Sequence, residues 1–133
     1  MPPDTHAVIA RCNAASHDGT MSFPQIVGAL GAAGVESYVC DLRRATKTYY
    51  LPSGESLELP AGKPYAVAER FDEAGVAAAI REAQANGPGY SYDGFCVRIA
   101  AAGCAGYIVS LLGRRAVYLG RTGESHVELF PGT

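Results

Sequence analysis

One segment of the chain occurs twice. Residues 22–56 align without a gap on residues 91–125, an offset of 69 positions, and ten of the 35 aligned pairs are identical. Unrelated segments of this length share fewer residues, so the alignment predicts an internal duplication. A feature present in both halves is then expected to belong to the scaffold, whereas a feature present in one half is a better candidate for function. The identical pairs are Ser22/Ser91, Ala32/Ala101, Ala33/Ala102, Gly34/Gly103, Tyr38/Tyr107, Leu42/Leu111, Tyr49/Tyr118, Gly54/Gly123, Glu55/Glu124 and Ser56/Ser125.

The composition limits the class of protein. The chain has 133 residues, of which 48% are hydrophobic and 18% charged, as expected for one globular domain. A net charge of -2 gives no overall attraction to nucleic acid or to an anionic membrane. The longest apolar run is too short to span a bilayer, and the first residues do not resemble a signal peptide. We therefore expect a cytoplasmic protein without membrane contact.

The hydrophobic pattern changes from a helical period to a period of two within each half. This pattern predicts two helices followed by three strands, and then the same series again. The predicted helices cover 4–16, 22–34, 71–85 and 91–102, and the predicted strands cover 37–43, 48–51, 55–59, 105–112, 115–120 and 124–130.

These elements predict an α+β fold in which two antiparallel meanders are covered by helices. We expect a single domain, 1–133, built from repeats at about 4–60 and 71–131 and joined by the connection 61–70. The two meanders can pair into one six-stranded sheet or pack face to face. The third strands also allow a second alignment, in which 57–59 matches 127–129, one residue later than the main offset.

Several residues resemble a known family. The residues that carry the likeness are Phe23-Pro24, Gly34, Tyr38, Asp41, Tyr49-Tyr50 and Gly54-Glu55, followed by Gly103, Tyr107, Tyr118 and Gly123-Glu124-Ser125. Together they are similar to the YdfO-like family of small, often prophage-encoded bacterial proteins. The resemblance covers nearly the whole chain and implies an α+β fold. It carries over no activity and no catalytic residues, because none is established for that family.

The sequence predicts neither a metal site nor a cofactor. His6 and His17 lie 11 residues apart, about 16 Å along a helix, and cannot share one ion. The glycines at 28, 31 and 34 lack the preceding strand of a dinucleotide-binding loop. Four cysteines occupy apolar positions, which is typical of buried, reduced thiols: Cys12, Cys40, Cys96 and Cys104.

Tyrosine is concentrated in the predicted strands. Cross-strand aromatic packing accounts for much of this density, but tyrosine also supplies rigid contact area with a polar tip. Our leading hypothesis is a non-enzymatic binding or regulatory module that holds a small ligand or a protein partner on a tyrosine-lined sheet surface. A homodimer is one quaternary state that the sequence allows. The candidate ligand-binding residues are Tyr38, Tyr49, Tyr107 and Tyr118.

Catalysis is an alternative hypothesis. Gly-Glu-Ser occurs in both halves, and duplication favours a structural role in a turn. Glu55 and Glu124 would form a pair of carboxylates if they faced each other across the axis between the halves. His126 follows directly after the second Gly-Glu-Ser and has no histidine counterpart in the first half. Glu55, Glu124 and His126 are therefore the candidate residues of a small hydrolase or isomerase.

Basic residues near the predicted hairpin tips suggest a third hypothesis. Exposed cations at strand ends commonly protect against aggregation, but two basic tips could also bind nucleic acid weakly. The acidic net charge disfavours that function. The residues concerned are Arg43, Arg44 and Lys47 in the first half and Arg114, Arg115 and Arg121 in the second.

Overall fold

The computed structural model describes residues 1–132 and, within them, four helices and six strands. The first half forms α1 (Pro3–Asp18), α2 (Phe23–Ala32), β1 (Ser37–Asp41), β2 (Thr46–Tyr50) and β3 (Ser56–Pro60). The second half forms α3 (Glu73–Ala85), α4 (Tyr92–Ala101), β4 (Cys104–Ser110), β5 (Arg115–Gly120) and β6 (Ser125–Leu129). The α+β class expected from the sequence is confirmed.

Local hydrogen bonds explain where the second helix of each half begins. Ser22 and Gln25 form a capping box at α2, in which the Ser22 hydroxyl accepts from the Gln25 amide and the Gln25 side chain accepts from the Ser22 amide. The Ser91 hydroxyl accepts from the Gly94 amide at the start of α4. These contacts satisfy amides that have no partner inside the helix.

All six strands form one antiparallel sheet in the order β3-β2-β1-β4-β5-β6. The two meanders therefore join edge to edge through β1 and β4, which is one of the two arrangements that the sequence left open. Val39 pairs with Ile108 at the centre of this junction. These two residues are 69 positions apart, so the junction relates the halves by an approximate twofold axis normal to the sheet.

Several elements of the two halves follow the same offset, although α1 is longer than α3 and β4 is longer than β1. The helices α2 and α4, and the strands β3 and β6, begin and end 69 residues apart. Ala45 and Arg114 are also 69 residues apart, and both have a positive φ angle, which is uncommon for residues other than glycine. The alternative alignment of the third strands is wrong, because Leu57 pairs with Tyr49 as His126 pairs with Tyr118. Both pairs keep the main offset.

The helices cover one face of the sheet, here called the inner face, and leave the outer face open. Strand side chains alternate between the two faces, so that the buried residues of β1, β2, β4 and β5 lie inward. Contacts from α1 and α4 reach this face: Asn13 bonds to Tyr49 and Tyr92 bonds to Tyr107. All four cysteines are buried, as the sequence predicted.

The connection 61–70 runs along one end of the sheet and is held by backbone bonds. The Tyr65 amide donates to the Leu42 carbonyl, and the Ala68 amide donates to the Ala100 carbonyl. Arg121 donates to the carbonyl of Val67 at 3.1 Å. Along residues 1–132, no helix has the length and apolar character needed to cross a membrane.

Candidate ligand-binding site

A cavity of about 430 Å³ lies between the inner face and the helices. Pockets that hold small molecules usually measure about 300–1,000 Å³. Side chains from both halves line it, and six of the eight tyrosines are among them: Tyr38, Tyr49, Tyr90, Tyr92, Tyr107 and Tyr118.

Two matching tyrosine pairs form the floor of this cavity. Tyr38 on β1 pairs with Tyr49 on β2, and their ring centroids are 5.2 Å apart at an interplanar angle of 36°. Tyr107 on β4 pairs with Tyr118 on β5, with centroids 5.2 Å apart at 40°. The rings are within the range of favourable aromatic contact, so the floor is both apolar and rigid.

The hydroxyl groups of these tyrosines are not equivalent. Tyr49 donates to Asn13 Oδ1 at 3.2 Å, and Tyr107 shares a short hydrogen bond with Tyr92. Within residues 1–132, the hydroxyls of Tyr38 and Tyr118 have no protein partner, yet no fully buried side-chain oxygen or nitrogen is left unsatisfied there. Because both residues line the cavity, their hydroxyls can hydrogen-bond to a molecule that occupies it.

Lys47 on β2 extends into the same space and is only 2% exposed. Its Nζ lies 3.3 Å from the Ser16 hydroxyl and 4.3 Å from the centroid of the Tyr92 ring. Burial lowers the pKa of Lys47 from its usual value, because the apolar surroundings disfavour the charged form. Among residues 1–132, no carboxylate lies within 4.0 Å of this amine.

The thiols and phenols around Lys47 are neutral, and the nearby His17 supplies no negative charge, because burial and the charge of Lys47 lower the pKa of that imidazole. Burial raises the pKa of the Cys40 thiol, and it raises the pKa of the Cys96 thiol to about 12. Burial also raises the pKa of Tyr38, Tyr92 and Tyr107 well above the usual value. These thiols and phenols are protonated at neutral pH, so they cannot balance a positive charge on Lys47.

The cavity reaches solvent between the two interhelical connections. Exposed residues of the α1–α2 connection and of the α3–α4 connection line it, and Gly19 and Asn86 are examples. Phe23 at the start of α2 packs edge-on against Phe130, with ring centroids 5.6 Å apart.

A polar cluster lies at the β6 side of the cavity. His126 contacts Glu73 at 2.7 Å through Nδ1 and Glu128 at 3.2 Å through Nε2. Gln84 donates to the other oxygen of Glu128 at 3.3 Å. Burial by itself would lower the pKa of His126, but its hydrogen bonds to Glu73 and Glu128 outweigh this effect and raise the pKa above the usual value.

The four candidate tyrosines therefore lie on the inner face and line one cavity. They do not form an exposed sheet surface as the sequence suggested, since Tyr38, Tyr49, Tyr107 and Tyr118 are at most 8% exposed. The helices cover that face. Tyr50 is the strand tyrosine that points outward, and it is 38% exposed.

The structure does not bring the three catalytic candidates together. Glu55 follows the β2–β3 turn and Glu124 precedes β6, so they lie at opposite edges of a six-stranded sheet. Five strand spacings separate these edges, about 24 Å. Glu55 instead accepts from the Met1 amino group, which lowers the pKa of that carboxyl. His126 lies beside other carboxylates.

The basic hairpin tips do not form one patch. The turn with Arg43 and Arg44 and the turn with Arg114 lie at opposite ends of the sheet, because Asp41 pairs with Gly106 while Ser37 pairs with Ser110. Lys47 is not at a tip at all. β2 begins at Thr46, two residues before the predicted start, and the alternation then places Lys47 inward beside Tyr49.

The buried lysine in the cavity lining is a feature that sequence reasoning missed. Two signals could have found it: Lys47 alternates with Tyr49 on the same strand face, and the repeat aligns it with Ala116. The lysine is thus present in one half only.

Comparisons with known proteins do not identify the chain. No protein family model matches it, and no curated protein is significantly similar in sequence. Within residues 1–132, no group of three histidine, cysteine or acidic side chains is arranged to hold a metal ion.

Proposed function

We propose that the protein is a binding module that holds a small, mainly apolar ligand in the cavity between the helices and the inner face. The observation that carries this proposal is the cavity of about 430 Å³, which six tyrosines and one buried lysine line. Aromatic rings provide contact area, and the unpartnered hydroxyls of Tyr38 and Tyr118 would orient the ligand.

No observation favours catalysis or nucleic-acid binding to the same degree. The three catalytic candidates are dispersed, and the arginines at the hairpin tips point to opposite ends of the sheet. Membership in the YdfO-like family and a cytoplasmic location remain predictions; neither would change the proposed binding role.

We also propose that the two halves arose by duplication. The shared element bounds, the recurring positive φ angles and the matching tyrosine pairs support this origin. Under this proposal, the features that occur in both halves belong to the scaffold. The side chains that differ between the halves at equivalent positions of the inner face are then the ones that determine what binds.

Thermal unfolding with a neutral aromatic probe tests the binding proposal. Naphthalene-2-carboxamide at about 100 times its dissociation constant should add about 2.7 kcal/mol to the free energy of unfolding. In a domain of this size that gain raises the midpoint by several degrees. Differential scanning calorimetry is a suitable readout because it does not depend on light absorption, and the naphthalene ring absorbs strongly near 220 nm.

Two leucine substitutions in one strand localise the binding. Ala116→Leu places three more carbon atoms in the cavity and should abolish the probe-induced shift. Val117→Leu is the matched control, because Val117 is the next residue of β5 and points to the outer face. An equal shift in both variants would contradict the proposal, as would no shift in the unmodified protein at the solubility limit of the probe.

A further inference from the structure

Lys47 is a buried basic group for which the cavity supplies no counterion. The side chain is 2% exposed, and its single hydrogen bond goes to the neutral Ser16 hydroxyl at 3.3 Å. An ammonium group has three donors, so two remain available. Burying a charge without an ionic partner is costly, which favours a role for Lys47 that a ligand completes.

The positive charge is stabilised in part by aromatic rings. Nζ lies 4.3 Å from the Tyr92 ring centroid and 6.0 Å from the Tyr38 ring centroid. Rings at these distances attract a cation but do not supply the negative charge of a counterion. The unpartnered hydroxyl of Tyr38 lines the same cavity and adds a neutral donor.

The remaining lining residues limit the charge and the shape of an occupant. Lys47 is the one cation that lines the cavity within residues 1–132, and Glu128 is the one anion. These two residues are on β2 and β6, four strand spacings or about 19 Å apart. Glu128 already accepts from Gln84 and contacts His126. A single negative charge near Lys47 therefore matches the site, whereas a multiply charged group such as a phosphate would exceed it.

We infer that the ligand is a small organic acid with one carboxylate and an apolar, ring-sized body. This inference rests on the proposed function, since it names the class of ligand for the same cavity. The carboxylate binds Lys47 Nζ and accepts a hydrogen bond from the Tyr38 hydroxyl. The apolar body lies against the Tyr107 and Tyr118 rings, and the carboxylate replaces the missing counterion.

The equivalent position in the second half supports the assignment. The repeat aligns Lys47 with Ala116, and both residues face the cavity, each from the strand next to one edge of the sheet. A scaffold built from this frame does not need a lysine here. A buried lysine in one half only is the pattern expected of a residue that recognises a ligand.

Calorimetric titration with two isosteric probes tests the inference. Naphthalene-2-carboxylate should bind at least about ten times more tightly than naphthalene-2-carboxamide, because only the carboxylate offers a charge-assisted hydrogen bond to Lys47. Lys47→Met keeps the length and apolar character of the side chain and should reduce this preference to less than about threefold. Lys63→Met removes the other lysine of the chain, which is exposed, and should leave the preference unchanged.

The outcomes separate the two proposals. If neither probe binds the unmodified protein, the proposed function fails and the inference fails with it. If both bind equally well, the cavity is a ligand site and the inference alone is overturned. A carboxylate preference that survives in Lys47→Met also overturns the inference, because the anion would then be held elsewhere.

A titration of the unmodified protein gives a second readout that does not depend on how the variant folds. The chain has two lysines, so labelling lysine with ¹³C at Cε alone gives two resonances, and Lys63→Met assigns them. A tenfold preference for the anion should raise the pH midpoint of the Lys47 resonance by about one unit when naphthalene-2-carboxylate is added. An unchanged midpoint with the carboxylate bound would contradict direct contact with Lys47.

Discussion

The two halves of the protein have the same order of helices and strands, but their side chains differ where the third strands face inward. Leu57 and Leu59 lie there on β3, whereas His126 and Glu128 occupy the equivalent positions on β6. One strand earlier, Lys47 in the first half corresponds to Ala116 in the second. The strands therefore occupy equivalent positions in both halves, whereas the polar side chains of the inner face are at different positions in each half. The difference shows which side chains the fold itself does not require.

Alanine substitution of the glycine that follows the second helix of each half shows whether the two positions contribute equally to the free energy of unfolding. Gly34 and Gly103 both have a φ of +91°, but an added methyl group meets open space at Gly34 and overlaps the Arg70 carbonyl at Gly103. Gly34→Ala should cost about 1–2 kcal/mol through backbone strain. Gly103→Ala should cost about 2 kcal/mol more because it also displaces the connection. Urea denaturation measures both, and equal losses would show that the connection packs loosely.

Replacing Lys47, which has no counterion, tests whether the free protein is more stable with an uncharged side chain there, as the second half has at Ala116. Lys47→Met should raise the free energy of unfolding by about 1–3 kcal/mol at pH 7, because it eliminates a buried charge. The folded-state pKa of Lys47 is lowered, so the folded protein loses stability as the pH falls below the unfolded value of about 10.4. The gain from Lys47→Met should accordingly shrink towards pH 10.

Denaturation of Lys47→Met and Lys63→Met at pH 7 and pH 10 provides this comparison. Lys63 is exposed, and its removal should change stability by less than about 0.5 kcal/mol. A loss of stability in Lys47→Met at both pH values would mean that the lysine stabilises the free protein.

The tyrosine pairs allow a comparison of hydroxyl groups at equivalent positions. Tyr49→Phe removes a hydrogen bond to Asn13 and should cost about 1 kcal/mol. Tyr118→Phe removes a hydroxyl that has no partner in the described chain, 1–132, and should change the free energy of unfolding by less than about 0.5 kcal/mol. Tyr50→Phe on the outer face is the control. A cost at Tyr118 equal to that at Tyr49 would indicate that Tyr118 has a partner in the free protein.

His126→Leu places in the second half the leucine that the first half has at Leu57. It should remove a pH-dependent contribution to the free energy of unfolding. The folded-state pKa of His126 is raised, so its contacts with Glu73 and Glu128 stabilise the protein below about pH 6.5. That contribution is lost as the pH rises through the folded pKa. Because Glu73 is largely exposed, we expect a change of only about 0.5–1 kcal/mol.

Thermal or urea unfolding of His126→Leu between pH 5.5 and pH 8.5 measures this difference. The stability of the variant relative to the unmodified protein should improve as the pH rises. A difference that is constant across this range would show that the histidine contacts are not ionic.

Much of the fold could be predicted from the sequence because its main determinants are local. Ser22 and Ser91 mark the starts of equivalent helices, and the alternation around Tyr38 and Tyr107 gives the strands. The pairing of β1 with β4 could not be predicted, because either meander has an apolar face that suits both sheet extension and face-to-face packing.

The candidate site was less accessible to sequence reasoning. The tyrosines were identified, but the cavity depends on how four helices pack over the sheet, which local patterns do not specify. Lys47 was assigned to an exposed tip because its charge outweighed its place in the alternation. The predicted β2 began at residue 48, whereas the strand begins at Thr46. The prediction therefore left Lys47 outside the strand.

Methyl resonances on the two faces of the sheet test the central claim, that the cavity and not the open outer face binds the ligand. Ile80 and Val109 line the cavity, whereas Ile108, Val117 and Val127 lie on the outer face. Titration with naphthalene-2-carboxylate should shift the resonances of the first pair and leave those of the other three residues nearly unchanged. Shifts confined to Ile108, Val117 and Val127 would place binding on the outer face and contradict the account.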